Sequence, residues 1–292
     1  MTAAAWLNTF IRKQRLPARF RTDAEEHLGP VIAWLARSEF GIIGLSGAQG
    51  TGKTTLGAFL VESLFQDFGR RALLLSLDDF YLPRADRRRL ASEVHPLFAT
   101  RGVPGTHDMD RLHATLDALG AEKGSVTLPV FDKAIDDRLP EPAWRQVELP
   151  VDLVILEGWC VGTSAEPSAA LETPVNSLER DRDEAGTWRR YVNSALGGEY
   201  ARLNDRLDAL IYIEVPDMAA VTRWRSRQEQ ELREDRGGGM SASDVAGFVS
   251  YFERLTLHGL RTLPGSADIV ISLDESHGIA GVRLNRAGTR ES

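Results

Sequence analysis

Residues 47–54 read Gly47-Ala48-Gln49-Gly50-Thr51-Gly52-Lys53-Thr54, a complete G-x-x-x-x-G-K-T phosphate-binding loop. A short apolar stretch precedes it, Phe40-Gly41-Ile42-Ile43-Gly44-Leu45, suited to a buried strand. Thr55-Leu56-Gly57-Ala58-Phe59-Leu60-Val61 follows, with apolar residues at helical spacing. A glycine-rich turn alone often marks only tight backbone. A strand before it and a helix after it are the context that phosphate binding requires. The glycines let consecutive N–H groups curl around an anion, and the following helix adds the positive end of its dipole. Lys53 can then bridge the outer phosphates, and the Thr54 hydroxyl can ligate Mg²⁺. Residues 47–55, Thr55 included, are therefore expected to hold a nucleoside triphosphate.

Outward from the loop, further apolar runs follow at 72–77, 151–156, 207–213 and 267–273, spaced widely enough for intervening helices. Near-continuous apolar runs fit a parallel sheet covered on both faces, built from right-handed crossover units. Ligands in such a sheet collect at the carboxyl ends of the strands. Residues 1–38 read as a helical extension interrupted by Pro17 and Gly29-Pro30. The second and third strand runs are separated by far more chain than a crossover helix needs. That segment, about 79–150, is proline-rich and charged, the profile of a substrate cap. The tail after Gly281 reads as frayed.

Composition bounds the class. The 292 residues are 42% hydrophobic and 26% charged, as in an ordinary soluble globular chain. A net charge of −7 argues against non-specific nucleic-acid binding, which needs a basic surface. It leaves room for a local cluster holding an anionic small molecule. A single cysteine, Cys160, rules out an intrachain disulfide, fits a reducing compartment and reads as packing. No run approaches the ~18 apolar residues that span a bilayer, and the N-terminal residues lack a signal-peptide pattern. The expected location is the cytoplasm.

Acidic residues follow two of the strand runs. Leu77-Asp78-Asp79-Phe80-Tyr81 puts a carboxylate where it could take a proton from an attacking hydroxyl or help hold Mg²⁺. The alternative is that Asp78 and Asp79 only cap the next helix. Glu157, in Ile155-Leu156-Glu157-Gly158-Trp159, is placed to orient the metal or its waters. The cap segment supplies Arg101-Gly102-Val103-Pro104-Gly105-Thr106-His107-Asp108, Phe131-Asp132-Lys133 and Asp137-Arg138, polar groups on loops with fixed turn residues. His107 could donate to a substrate carboxylate or hydroxyl, or could only bond its own loop. Arg223 and Arg227, four apart on a helix with Arg225 between them, share a face. On a mobile lid of about 218–240, hinged at Gly237-Gly238-Gly239, they could neutralise transferred phosphate. The alternative is a solvated helix with Glu partners.

No Asn-Lys-x-Asp guanine-reading motif is present, which excludes a GTPase. The Asp-x-Phe-Tyr element after the second strand resembles that of the uridine kinase, phosphoribulokinase and pantothenate kinase superfamily. More closely, Asp78-Asp79-Phe80-Tyr81, the 101–108 loop, Phe131-Asp132-Lys133 and Glu157-Gly158-Trp159 resemble the D-glycerate 3-kinase family. Trp188-Arg189-Arg190-Tyr191-Val192-Asn193 and Trp224-Arg225 extend the match. The sequence departs from that family after Lys133, where Ala134-Ile135-Asp136-Asp137-Arg138 follows directly instead of a longer Gly-rich basic stretch.

The resemblance implies ATP-dependent phosphorylation of the 3-hydroxyl of D-glycerate. It implies an α/β P-loop NTPase fold, a three-layer sandwich with a five-stranded parallel sheet in the order 2-3-1-4-5. Residues 39–292 would be the kinase domain. Asp78 matches the catalytic base, with Asp79 beside it. Lys53, Thr54, Glu157 and Asp78 match ATP and Mg²⁺ handling, and Arg223 and Arg227 fall in the lid. Asp79, Tyr81, His107, Asp132, Lys133 and Arg138 would contact a small hydroxy-acid acceptor. The alternatives are a related kinase acting on a nucleoside, sugar or pantothenate-like acid, and a regulatory protein whose output is ATP-driven ordering of the lid.

Overall fold

The computed structural model describes residues 5–39, 41–236 and 242–285. The five apolar runs form parallel strands: β1 (Ile42–Gly47), β2 (Ala72–Ser76), β3 (Leu153–Gly158), β4 (Ala209–Glu214) and β5 (Ile269–Leu273). They lie in the order β2-β3-β1-β4-β5. The sheet has one strand more than expected, since β6 (Ile279–Leu284) runs antiparallel along β5. Fraying was expected after Gly281, but the turn Asp274–Gly278 folds the chain back and pairing continues through Leu284.

Alternation along the strands sends side chains to two apolar layers. Ile43, Leu45, Leu153, Ile155, Ile211 and Ile269 face the helix Lys53–Phe68 on one side. Leu73, Leu75, Val154, Leu156, Tyr212 and Val270 pack on the other side beneath the helices Met109–Leu119, Thr187–Ala195 and Ala242–Ser266. β1 is central, paired with β3 and β4, so its carboxyl end and the loop that follows sit mid-sheet. Among the described residues no helix is long and apolar enough to cross a membrane.

The N-terminal helices Ala5–Lys13, Arg19–Asp23 and Gly29–Arg37 form part of the first layer. Leu7, Phe10, Leu28, Val31 and Leu35 are buried against Phe59, Leu60 and Leu64. The Phe59 ring lies 5.8, 5.7 and 5.3 Å from the rings of Trp6, Phe10 and Phe20.

The long excursion between β2 and β3 reaches the carboxyl edge through Phe131 and Lys133, which bond Asp79 and Asp78. It then runs back beside β2, where Arg71 Nη2 donates to the Glu148 carbonyl at 3.0 Å. It carries the helices Arg84–Glu93 and Met109–Leu119, a small pair of Phe131–Asp132 with Asp137–Arg138, and a second pair of Ser125–Leu128 with Arg145–Glu148. Arg87, 1% exposed, pins it by donating to the carbonyls of Leu82 (3.2 Å), Ala99 (2.8 Å) and Asp136 (2.7 Å). On the open side of β2, Arg145 Nη2 donates to the Leu74 carbonyl at 3.2 Å. The expected hinge Gly237–Gly239 lies outside the described residues, between the helices Met218–Arg236 and Ala242–Ser266.

Candidate active site

β1 delivers the chain into residues 48–52, and the helix begins at Lys53. Gly50 and Gly52 have φ of 77° and 83°, a left-handed conformation that only glycine adopts cheaply. A Cβ placed on Gly52 would meet nothing within 4 Å, so open space faces the first helical turn, where N–H donors lack intrahelical partners. The Ala48 carbonyl accepts from Thr51 Oγ1 at 2.9 Å and Lys53 Nζ at 3.2 Å. Burial lowers the pKa of Lys53, and the charges of Glu157 and Asp78 oppose that shift. Gln49 and Thr55 are half-buried on the same loop and turn.

Parallel pairing brings the ends of β1, β2 and β3 together. Glu157, 5% exposed, accepts at Oε1 from Thr54 Oγ1 at 3.0 Å and from Ser76 Oγ at 2.8 Å. These hard oxygen donors beside the open loop suit Mg²⁺ on triphosphate oxygens. The sequence reading did not single out Ser76, which fixes the carboxylate.

Asp78 lies in the 3-10 turn Leu77–Phe80. Its Oδ1 accepts from Tyr81 Oη at 2.8 Å and its Oδ2 from Lys133 Nζ at 2.6 Å. Burial acts to raise this carboxyl, but the Lys133 charge and the two hydrogen bonds outweigh it and bring it down to about 2. Asp79 turns elsewhere and accepts from the Phe131 N–H at 3.3 Å; burial, helped by the Asp78 charge, raises its pKa. The paired acids are thus shifted in opposite directions. Lys133 is the accessible member of the cluster, with its side chain 60% exposed.

The remaining expected acceptor contacts divide. Tyr81 is buried and stacks on His107, with centroids 4.5 Å apart. Asp132 caps its own turn by accepting from the Ala134 N–H at 2.8 Å. The Arg138 side chain is 9% exposed and donates to the Tyr81 carbonyl and Asp108 Oδ2, each at 3.0 Å. Its buried guanidinium thus braces the cap. Arg101 forms an ion pair with Asp136 and lies over the Phe131 ring at 5.5 Å.

His107 is 4% exposed and meets the Tyr200 hydroxyl at 2.5 Å through Nδ1. The other ring nitrogen, Nε2, is buried and has no hydrogen-bond partner among the described residues. Burial lowers the His107 pKa from 6.5 to about 4. A histidine kept neutral in the fold protonates more readily once unfolded. His107 therefore contributes stability in full above pH 6.5 and loses it as pH falls toward 4, by up to about 3 kcal/mol. Denaturant titrations of wild type and His107→Gln at pH 7 and pH 4.5 should show a steeper acid loss for wild type. Equal losses would refute the neutral buried imidazole.

The helix Met218–Arg236 crosses the phosphate loop. Trp224 is 7% exposed, and a Cβ on Gly50 would lie 3.3 Å from both Trp224 Cβ and Arg225 N. Arg223 pairs with Glu275; Arg223 and Arg227 line an open groove of about 650 Å³ with Thr222, Ser226 and Gln230. Arg225 lies inward, paired with Glu229, 5.3 Å over the Phe248 ring and within the field of Arg101. The two arginines expected on one face share it, but the helix presents a third toward the cap.

A phosphate loop on a central parallel strand, with acids at the ends of β2 and β3 and a folded cap, defines a P-loop kinase. No protein-family model matches the chain. It is 34% identical to the uncharacterized kinase mug58 of Schizosaccharomyces pombe, over 72% of this chain and 78% of that protein. It is 31% identical to the chloroplastic D-glycerate 3-kinase of Arabidopsis thaliana, over 72% of this chain and 46% of that one. A solved D-glycerate 3-kinase from Cryptococcus neoformans superposes with a TM-score of 0.72 at 26% identity, over 92% of this chain and 99% of that chain. The protein belongs to the D-glycerate 3-kinase family of P-loop kinases, phosphotransferases with an alcohol group as acceptor.

Proposed function

We propose that the protein transfers the γ-phosphate of ATP to the 3-hydroxyl of D-glycerate, giving 3-phosphoglycerate. The observation that carries this reading is the pairing of Asp78 with the accessible Lys133, within the electrostatic reach of Lys53. An acceptor carrying both a hydroxyl and a carboxylate has use for each. Arg101 and Arg225, which repel one another nearby, add positive charge for an anionic molecule. The D-glycerate 3-kinase names of two relatives agree with that chemistry.

In this mechanism residues 47–55 cradle the triphosphate, and Lys53 neutralises its outer oxygens. Thr54 and Glu157 would hold Mg²⁺, which when bound would supply positive charge against the phosphates. The acceptor carboxylate engages Lys133, leaving Asp78 to take the hydroxyl proton. A bond forms between the acceptor oxygen and γ-phosphorus as the bridging bond breaks, and ADP leaves with the electron pair. Asp78, already ionised, fixes the direction of attack as it accepts that proton.

The test is acceptor-dependent ADP release from Mg·ATP. D-glycerate is run beside small hydroxy acids, sugars, nucleosides and pantothenate. Stimulation by D-glycerate alone, with 3-phosphoglycerate as product, is the expected result. Stimulation by another acceptor instead would discard the substrate and keep the chemistry. ATP binding without turnover on any acceptor would favour the regulatory reading.

A further inference from the structure

The Asp274–Gly278 turn is joined to three parts of the molecule. Asp274 Oδ1 accepts from the N–H groups of Ser276 and Gly278, both at 2.9 Å. The turn is held from the N-terminal helices by Arg19, which donates from Nη2 to Asp274 Oδ2 at 2.9 Å and from Nη1 to Ser276 Oγ at 2.5 Å. Asp23 pairs with Arg19 Nε at 3.3 Å and accepts from the Ile279 N–H at 3.2 Å. The guanidinium lies so close over Gly278 that a Cβ there would fall 1.6 Å from Arg19 Nη2.

At the other end of the turn is His277, held at a φ of 69°. That is a costly conformation for a residue with a side chain and persists where surroundings impose it. Its ring lies 4.4 Å from that of Trp224 and meets the backbone of Thr51 and Gly50. Glu275 adds the ion pair to Arg223. A continuous set of contacts thus runs from the N-terminal helices to the corner of the phosphate loop.

We propose that Arg19 is a positioning residue for the nucleotide: by fixing the Asp274–Gly278 turn, it seats His277 and Trp224 behind Gly50 and Thr51. The proposal rests on the reading of residues 47–55 as an ATP site. Arg19 reaches the nucleotide only through the turn. Its planar fork spans Asp274 and Ser276 together, which a lysine cannot reproduce.

The experiment measures ATP affinity by calorimetry in excess Mg²⁺, together with the KM for ATP, the KM for the acceptor and kcat. Arg19→Met should weaken ATP binding about five- to tenfold, the scale on which residues outside a site act through packed contacts. The acceptor KM and the kcat at saturating ATP should change by less than about twofold. Arg19→Lys should fall between. Gly278→Ala, which displaces the guanidinium without removing it, should repeat the Arg19→Met effect. Arg21→Met is the control, because Arg21 bonds Glu25 and Asn8 within the same helices and does not touch the turn. It should lower thermal stability and leave ATP affinity unchanged. ATP affinity in Arg19→Met within twofold of wild type would overturn the proposal. Equal weakening in Arg21→Met would overturn it too, by reducing the effect to helix stability. Failure of the ATP-site reading is distinguishable, since wild type itself would then bind no ATP.

Discussion

Lys53→Ala should leave a folded protein with no measurable acceptor-dependent ADP release. In the structure Lys53 makes one hydrogen bond, 3.2 Å to the Ala48 carbonyl, a contribution of about 1 kcal/mol to stability. Its electrostatic role is larger. It is the ammonium at the mouth of the loop, flanked by Glu157 and Asp78, where charge on transferred phosphate must be met. Removing a single neutral donor from a developing anion costs ~10²–10³ in rate, so loss of a full charge should exceed that. A coupled assay read beside circular dichroism checks both halves. Activity within tenfold of wild type would show that another group meets the phosphate charge.

Asp78→Asn should have the next largest effect, cutting kcat by ~10² or more while sparing ATP affinity. Asparagine keeps an oxygen for the Tyr81 hydroxyl, now 2.8 Å from Oδ1, but it cannot accept a proton or balance the Lys133 charge. Single-turnover kinetics with a nucleotide titration separates the chemical step from binding. Near-normal turnover would move the base to Asp79 or remove the step. Asp79 is a poor substitute in this arrangement, because it is committed to the Phe131 N–H.

The strands were legible in the sequence because a parallel sheet covered on both faces requires near-continuous apolar runs, which few other contexts tolerate. Lys53, Thr54, Asp78 and Glu157 were legible for a related reason: each stands directly at a strand end or on the loop, so chain order alone places them. The sixth strand was missed because Ile279–Leu284 is half-exposed and interrupted by Gly281, so it lacks a continuous apolar run. Side chains joined across the fold left little trace. Ser76 binds Glu157 over 81 residues and His107 meets Tyr200 over 93, distances at which spacing carries no information. Arg87 looks like one member of a basic run, yet it is the buried pin of the cap. The i, i+4 rule correctly grouped Arg223 with Arg227, but the face that meets the loop is marked only by the short apolar set Ala220, Val221 and Trp224, packed on Ala48.

The Arg145 contact has a consequence for solubility. β2 ends the sheet on one side, and an unpaired strand edge is a template on which a second chain can add itself. Here a guanidinium occupies the Leu74 carbonyl, and a charge sits where a foreign strand would have to dock. The Arg145–Glu148 strand beside β2 thereby guards the molecule against edge-to-edge self-association, so substitutions that loosen it would bring aggregation.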